Sequence, residues 1–221
     1  MFQNRIFYIT LATFGIFFVW YIIAPSNENA SGGKGGEVTL NNPENYAKGN
    51  ADAPVKIIQY SDFLCPSCSQ VSLGVMPKIE EEFVKTGKAY FEFRPLAFIA
   101  DGSQLAAEGA FCAAQQNKFW EFHDKSYLTV WTNYFSKGVD PTQVPLYSID
   151  GVKTIGKASG VDEATFNTCI DERQKQQEVI NFTEYSQSKV ITGTPYFLIN
   201  DTPIKGVPTY EVLEAAINSK L

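Results

Sequence analysis

The sequence predicts an α/β domain in which a mixed sheet is interrupted by a long helical segment. Three observations predict it. Two β-branched and aromatic runs, Val55-Lys-Ile-Ile-Gln-Tyr60 and Ala89-Tyr-Phe-Glu-Phe-Arg94, flank a stretch with helical spacing of apolar residues. A block of helical texture then runs from about Asp101 to Val190. A short strand pair and an amphipathic helix close the chain. The order strand, helix, strand, helical block, strand, strand, helix fits a mixed sheet with an insertion better than an alternating chain of Rossmann type.

Each element has its own signal. The first strand is entered through Ala53-Pro54. From Pro66 to about Lys85, Val71, Val75, Ile79 and Phe83 form one apolar stripe, and Gly74 and Pro77 are expected to kink or split that helix. Thr86-Gly87 turns the chain into the second strand, whose residues alternate. The helical block contains AAEGAFCAAQ, KFWEFHDKSYLTV, VPLYSIDGVKTIGKASG and, as one further stretch, EATFNTCIDERQKQQEVINFTEYSQSK. Tyr196-Phe-Leu-Ile-Asn200 and Pro203-Ile-Lys205 form a hairpin around Asn200-Asp201, and a helix from Tyr210 to Lys220 ends the chain.

Composition narrows the function classes. Of 221 residues, 44% are apolar and 19% charged, enough to bury a core. With 18 Lys and Arg against 24 Asp and Glu, the net charge is −6 and no basic run offsets it, which argues against phosphate-backbone binding. Four cysteines are too few for a disulfide-scaffold miniprotein. The exception to a water-soluble texture is the N-terminus, where Ile6 to Ala24 carries no charge. As a helix that run reaches ~28 Å, close to the ~30 Å hydrocarbon core of a bilayer. Arg5 lies before it and the first charge after it is Glu28, so the N-terminus is expected in the cytoplasm and the rest outside. A long cleaved signal sequence is the alternative; either way the domain works where disulfides persist. Ser26 to Gly36 is polar and Gly-rich, a tether. The expected layout is a transmembrane signal-anchor at 1–24, a flexible linker at 25–48 and a domain at 49–221, with its helical insertion at about 98–189.

Chemistry concentrates in Cys65-Pro66-Ser67-Cys68, which follows the first strand and opens a helix. Cys65 falls at the N-cap, where unpaired N–H groups and the positive dipole end favour a thiolate. Pro66 falls at the first helical position, where its missing donor costs nothing. Cys68 lies one turn on, so both sulfurs face the same way. The first sulfur is expected to be exposed and the second covered. One exchanges with a partner's disulfide and the other resolves the mixed disulfide. The plainer alternatives are a static bridge or half of a zinc site, and the latter lacks evident further ligands. Gly193-Thr194-Pro195, leading into a strand, is alone only a turn signal.

Taken together, GNADAPVKIIQYSDFLCPSC, QQNKFWEFHD, ITGTPYFLIN and PIKGVPTYEVLEAAI resemble the thioredoxin superfamily, and within it the DsbA-like disulfide oxidoreductases, over roughly Gly49 to Leu221. The resemblance implies a thioredoxin fold with an all-helical domain inserted between its second and third core strands, here preceded by one transmembrane helix. It implies that Pro195 is cis, with Thr194 beside the cysteines and backbone groups there pairing with an extended substrate. It also implies that Cys65 attacks and Cys68 resolves. The expected function is extracytoplasmic formation of disulfides in exported proteins bearing free thiols. Reoxidation falls to a membrane quinone-linked partner, DsbB-like or vitamin K epoxide reductase-like, and no organic cofactor or metal is called for. A reductase or isomerase is the near alternative, although residues 25–50 are too short and Gly-rich for an added dimerisation domain. A redox-inactive peptide-binding holdase is the alternative from another class.

Pro66, Ser67 and Asp62 are the expected tuning residues. Strongly oxidising relatives carry a histidine in the dipeptide; Ser67 adds no positive charge. Asp62, three residues before Cys65, either moves a proton to or from Cys68 or only holds the loop. Cys112 and Cys169 read as a structural disulfide between two helices in preference to a second redox relay. His123, the single histidine, reads as packed among aromatics in preference to catalytic. With no charge in the dipeptide, equilibration with glutathione should place the reduction potential within the span of roughly −120 to −270 mV and below its oxidising end; a value at that end would contradict the reading.

Overall fold

The structure is a computed structural model and describes residues 46–221. The anchor expected at 1–24 and all but the end of the linker lie outside the described residues. Among the described residues no helix is long and apolar enough to cross a membrane.

Five strands form one sheet in the order β1-β3-β2-β4-β5: β1 (Ala47–Lys48), β2 (Val55–Ser61), β3 (Ala89–Pro95), β4 (Tyr196–Ile199) and β5 (Thr202–Lys205). β2 and β3 run parallel in the register Ile57↔Phe91, whereas β2 pairs antiparallel with β4 as Ile57↔Ile199. That register puts Val55, Ile57, Ala89, Phe91, Phe197 and Ile199 on one face, all buried. The face is covered by Val71, Ile79 and Phe83, and by Leu213 and Ile217 of the last helix, α8 (Tyr210–Asn218). Period-two alternation on the strands and the 3.6-residue stripe on the helices meet in one apolar layer.

The helical run after β2 is split, as its glycine and proline imply. It comprises α1 (Pro66–Gln70), a π turn (Val71–Val75), α2 (Met76–Ile79) and a second π turn (Glu80–Val84). Pro77 has no N–H, and its ring crowds the carbonyl four residues back. The preceding turn widens, and the Met76 N–H donates to the Val71 carbonyl, five residues earlier.

Between β3 and β4 lie α3 (Asp101–Ala114), α4 (Phe119–Asn133), α5 (Ile149–Ala158), α6 (Glu163–Asp171) and α7 (Gln176–Ser188). Their core is aromatic, with Phe111, Phe119, Phe122, Tyr127, Phe166 and Phe182 all buried. Cys112 of α3 and Cys169 of α6 are joined by a disulfide across 57 residues of sequence. One turn from each sulfur, Arg173 clasps Glu108 with two hydrogen bonds of 2.6 and 2.7 Å, and the Glu108 side chain is only 1% exposed.

One expectation needs correction. The linker does not extend to residue 48. Tyr46 is buried, with its ring 5.5–6.1 Å from those of Phe111, Phe119 and Phe182, and Ala47 and Lys48 pair with Glu92 and Phe91. The Trp120 indole N–H donates to the Ala47 carbonyl at 3.3 Å, and Lys48 sits over the Trp120 ring while pairing with Glu80. Gly49 lets the chain turn away. It has φ +90°, and a Cβ there would stand 2.7 Å from the Ala89 carbonyl oxygen. The helical stretch beginning at Glu163 is divided into two helices. Arg173 breaks it with a φ of +51°, a conformation costly for a residue with a side chain and held here by the ion pair with Glu108. Arg173→Ala would leave a buried carboxylate unpaired and should cost roughly 3–5 kcal/mol in urea unfolding; a loss below about 1 kcal/mol would mean that the pair does not fasten α3 to the α6–α7 junction.

Candidate active site

The carboxyl end of β2 delivers its residues to the start of α1. Cys65 turns the chain from strand to helix with φ −88° and ψ 114°, and its Sγ accepts a hydrogen bond from the Cys68 backbone N–H at 3.2 Å. The sulfur is thus the cap of the helix. Both Cys65 and Cys68 are free thiols. The first sulfur is less open than expected: Cys65 is 5% exposed and Cys68 0%. The cause is the loop before β4. Its Thr194–Pro195 peptide is cis, and the Thr194 carbonyl accepts from the Cys65 thiol at 3.5 Å.

The two thiols differ electrostatically. A hydrogen bond from the Cys68 side chain, helped by the Thr194 side chain and the Cys68 N–H, outweighs burial and lowers the Cys65 pKa to about 7. Burial pushes Cys68 well above the ordinary thiol value, and its hydrogen bond to Cys65 adds to the rise. Ser67 hydrogen-bonds neither sulfur among the described residues.

Asp62 is buried, and burial raises its pKa. Its Oδ1 accepts from the Leu64 N–H at 2.8 Å, and its Oδ2 from the Phe98 and Ile99 N–H groups at 3.0 and 3.2 Å. This is the pattern of a loop organiser, tying the approach to Cys65 to the segment after β3. Its charge reaches the chemistry only as a small upward push on Cys65. His123 is buried in α4 among the rings of Phe93, Trp120 and Tyr127, at 4.9, 5.1 and 4.8 Å. Its Nδ1 meets Asp124 at 2.8 Å, and burial lowers its pKa. Cys112 and Cys169 form their bridge inside the insertion.

Sequence reasoning missed a buried polar cluster at the carboxyl end of β2. Gln59 and Ser61 are fully buried on the face of β2 that is otherwise apolar. Gln59 Nε2 donates to Ser61 Oγ at 3.3 Å and to Ser72 Oγ at 3.4 Å. Ser61 Oγ lies 2.9 Å from the Tyr127 hydroxyl, which donates to the Asp62 carbonyl at 3.3 Å. Polar residues at inward positions of a buried strand were the available signal.

Beside the cis-proline, Val190, Thr192, Tyr196 and Lys205 line part of an open pocket of about 240 Å³. Val190 is 79% exposed and has a φ of +60°, costly for a β-branched residue.

A parallel β2–β3 pair, a hairpin, a Cys-x-x-Cys at a helix start and a cis-proline loop against it define a thiol–disulfide oxidoreductase of thioredoxin fold, of the DsbA-like kind. The chain belongs to the thioredoxin family, whose profile matches residues 41–219. Disulfide bond formation protein D of Bacillus subtilis (strain 168) is 28% identical over 178 residues, covering 78% of this chain and 75% of that protein. The crystal structure of oxidised BdbD from Bacillus subtilis superposes with a TM-score of 0.69 at 24% identity, covering 79% of this chain and 91% of that one. Chlamydia trachomatis DsbA gives 0.68 at 20% identity, covering 85% and 94%. The structural likenesses speak to fold; the chemistry rests on the thiols.

At pH 7 about half of Cys65 should be thiolate, against about 3% of a peptide thiol. Iodoacetamide should therefore label reduced protein at Cys65 several-fold faster than a free peptide, with a midpoint near pH 7; labelling no faster than the peptide, or a midpoint near 9, would contradict the site.

Proposed function

We propose that this protein introduces disulfides into exported proteins from the outer face of a membrane, held there by residues 1–24. The observation that carries the reading is the asymmetry of the two sulfurs: Cys65 is the more accessible and its pKa is lowered to about 7, while Cys68 is fully buried and its pKa is raised.

In the oxidised enzyme a substrate thiolate attacks Cys65 Sγ. The Cys65–Cys68 bond breaks, its electron pair passes to Cys68 Sγ, and a mixed disulfide joins the substrate to Cys65. The substrate's second thiol then attacks the mixed disulfide as a thiolate, its proton ending on Cys68, and Cys65 departs as a thiolate. The substrate has lost two electrons and two protons, one proton residing on Cys68 and the other shared between Cys65 and solvent. Thr194 and Pro195 are the substrate-binding residues. Their loop stands directly over Cys65, where an extended peptide gains backbone hydrogen bonds. Pro66 starts the helix, and Asp62 keeps the strand end in place.

A thiolate stabilised in the reduced form makes the disulfide form oxidising, and a pKa near 7 makes it a mild oxidant: thioredoxin's is about 7 and DsbA's about 3.5. Net direction is then set by the partner that reoxidises the pair, a membrane quinone-linked enzyme of DsbB or vitamin K epoxide reductase type. The relatives named for disulfide bond formation support this direction.

Cys68→Ser should trap mixed disulfides with exported proteins, whereas Cys65→Ser should trap none and abolish oxidation of a reduced, unfolded substrate. Thiol trapping in cells should find the wild-type pair mostly oxidised; a mostly reduced pair would make it a reductase instead.

A further inference from the structure

On the sheet face turned away from α8, register sets a row of four side chains across the strands. Lys205 of β5 stands opposite Tyr196 of β4, Tyr196 opposite Tyr60 of β2, and Tyr60 opposite Arg94 of β3. The cations at the two ends of the row differ. Arg94 holds Glu92 at 2.6 Å and donates to the Tyr60 hydroxyl at 3.0 Å. Lys205 has no carboxylate paired with it among the described residues, and its ammonium has protons to donate and nothing to accept with. It lines the pocket beside the cis-proline together with Val190, Thr192, Thr194 and Tyr196, and no acidic side chain lines that pocket.

Another wall of the pocket is built against the preference of the backbone. α7 ends in a turn where the Val190 N–H donates to the Gln187 carbonyl at 2.9 Å and the Ile191 N–H to the Ser186 carbonyl at 3.1 Å. Glycine ordinarily fills the left-handed position of such a turn. Here Val190 fills it at φ +60°, which a β-branched side chain disfavours. Its isopropyl group is left exposed, so the fold gains little from valine that glycine would not supply. What valine adds is an apolar surface in the pocket. Thr194 joins that pocket to the chemistry, since it lines the cavity and its carbonyl lies 3.5 Å from Cys65 Sγ. A client strand rises ~3.3 Å per residue, so with its cysteine on Cys65 its next one to three residues lie along the pocket.

We propose that this pocket is a specificity subsite for clients whose exchanging cysteine is flanked by an acidic residue, with Lys205 binding the carboxylate and Val190 packing against the client chain. The proposal rests on the reading of Cys65 as the sulfur that joins the client. It runs against the charge of the molecule as a whole. At a net charge of −6 the protein draws cationic peptides at long range. A preference for acidic peptides therefore has to come from a local cation, and Lys205 is the one that lines the pocket.

The test uses the full-length Cys68→Ser protein, in which Cys65 is the reacting thiol. The probes are short peptides, acetylated and amidated so that only side chains carry charge, each with one cysteine joined to thionitrobenzoate. They differ only in a Glu, Gln or Lys placed two positions before or after the cysteine. The Cys65 thiolate attacks the peptide sulfur, the bond to thionitrobenzoate breaks, and that group leaves as a coloured thiolate whose release gives the rate. For one of the two placements at low salt, the Glu peptide should react about three- to fivefold faster than the Lys peptide. About 0.5 M NaCl should shrink the difference. Lys205→Gln should abolish the preference for Glu and Lys205→Glu should reverse it. Val190→Gly should raise the urea midpoint, because the left-handed turn is relieved, yet slow every peptide at least about twofold, because apolar contact is lost. A Lys peptide as fast as the Glu peptide in both placements, or an order that survives Lys205→Glu, would overturn the subsite. So would a Val190→Gly protein that is no more stable, or no slower, than its parent. Failure of the underlying reading looks different: no peptide would release thionitrobenzoate faster with Cys68→Ser than with Cys65→Ser.

Discussion

One sulfur atom serves two purposes in this molecule. Cys65 Sγ accepts the Cys68 N–H at 3.2 Å and so completes the first turn of α1, and the same contact helps lower the thiol's pKa. Reactivity and local folding therefore share an atom. The surrounding architecture keeps that arrangement in register. The parallel β2–β3 pair fixes where the strand ends, Asp62 fastens the next two residues to the segment after β3, and the cis-proline loop closes over the sulfur from β4. The strands and the proline loop contribute backbone groups and Asp62 a buried carboxylate held by three N–H groups, so the geometry depends little on flexible side chains.

Much of this was legible in the sequence because the signals were local. β-Branched runs marked β2 and β3, Asn200-Asp201 marked the hairpin, and Cys-Pro-Ser-Cys after a strand marked the paired thiols. What escaped was set by partners remote in sequence. β1 is only two residues long and carries no β-propensity; it exists because Tyr46 finds Phe111, Phe119 and Phe182. The break at Arg173 lies in a stretch of good helix formers and is imposed by Glu108, 65 positions earlier. Asp62 was undecided between proton transfer and loop support because its three backbone donors come partly from residues 36 and 37 positions away.

The cluster of Gln59, Ser61 and Tyr127 illustrates a further kind of blindness. Ser61 reads as the polar end of a strand and Tyr127 as one aromatic among many in α4. Only the packing of α4 against the end of β2 turns them into neighbours at 2.9 Å. The insertion thus packs directly against the end of β2, and its rigidity bears on where the Tyr127 oxygen stands.

That rigidity has two sources side by side, a covalent bridge at Cys112–Cys169 and the Glu108–Arg173 clasp one turn away. A catalyst that trades sulfur bonds risks attack on its own skeleton by every thiol it meets. Here both skeletal sulfurs are walled off, at 1% and 2% exposure, so a nucleophile has no line of approach to the bond. The molecule is thereby insulated from its own trade.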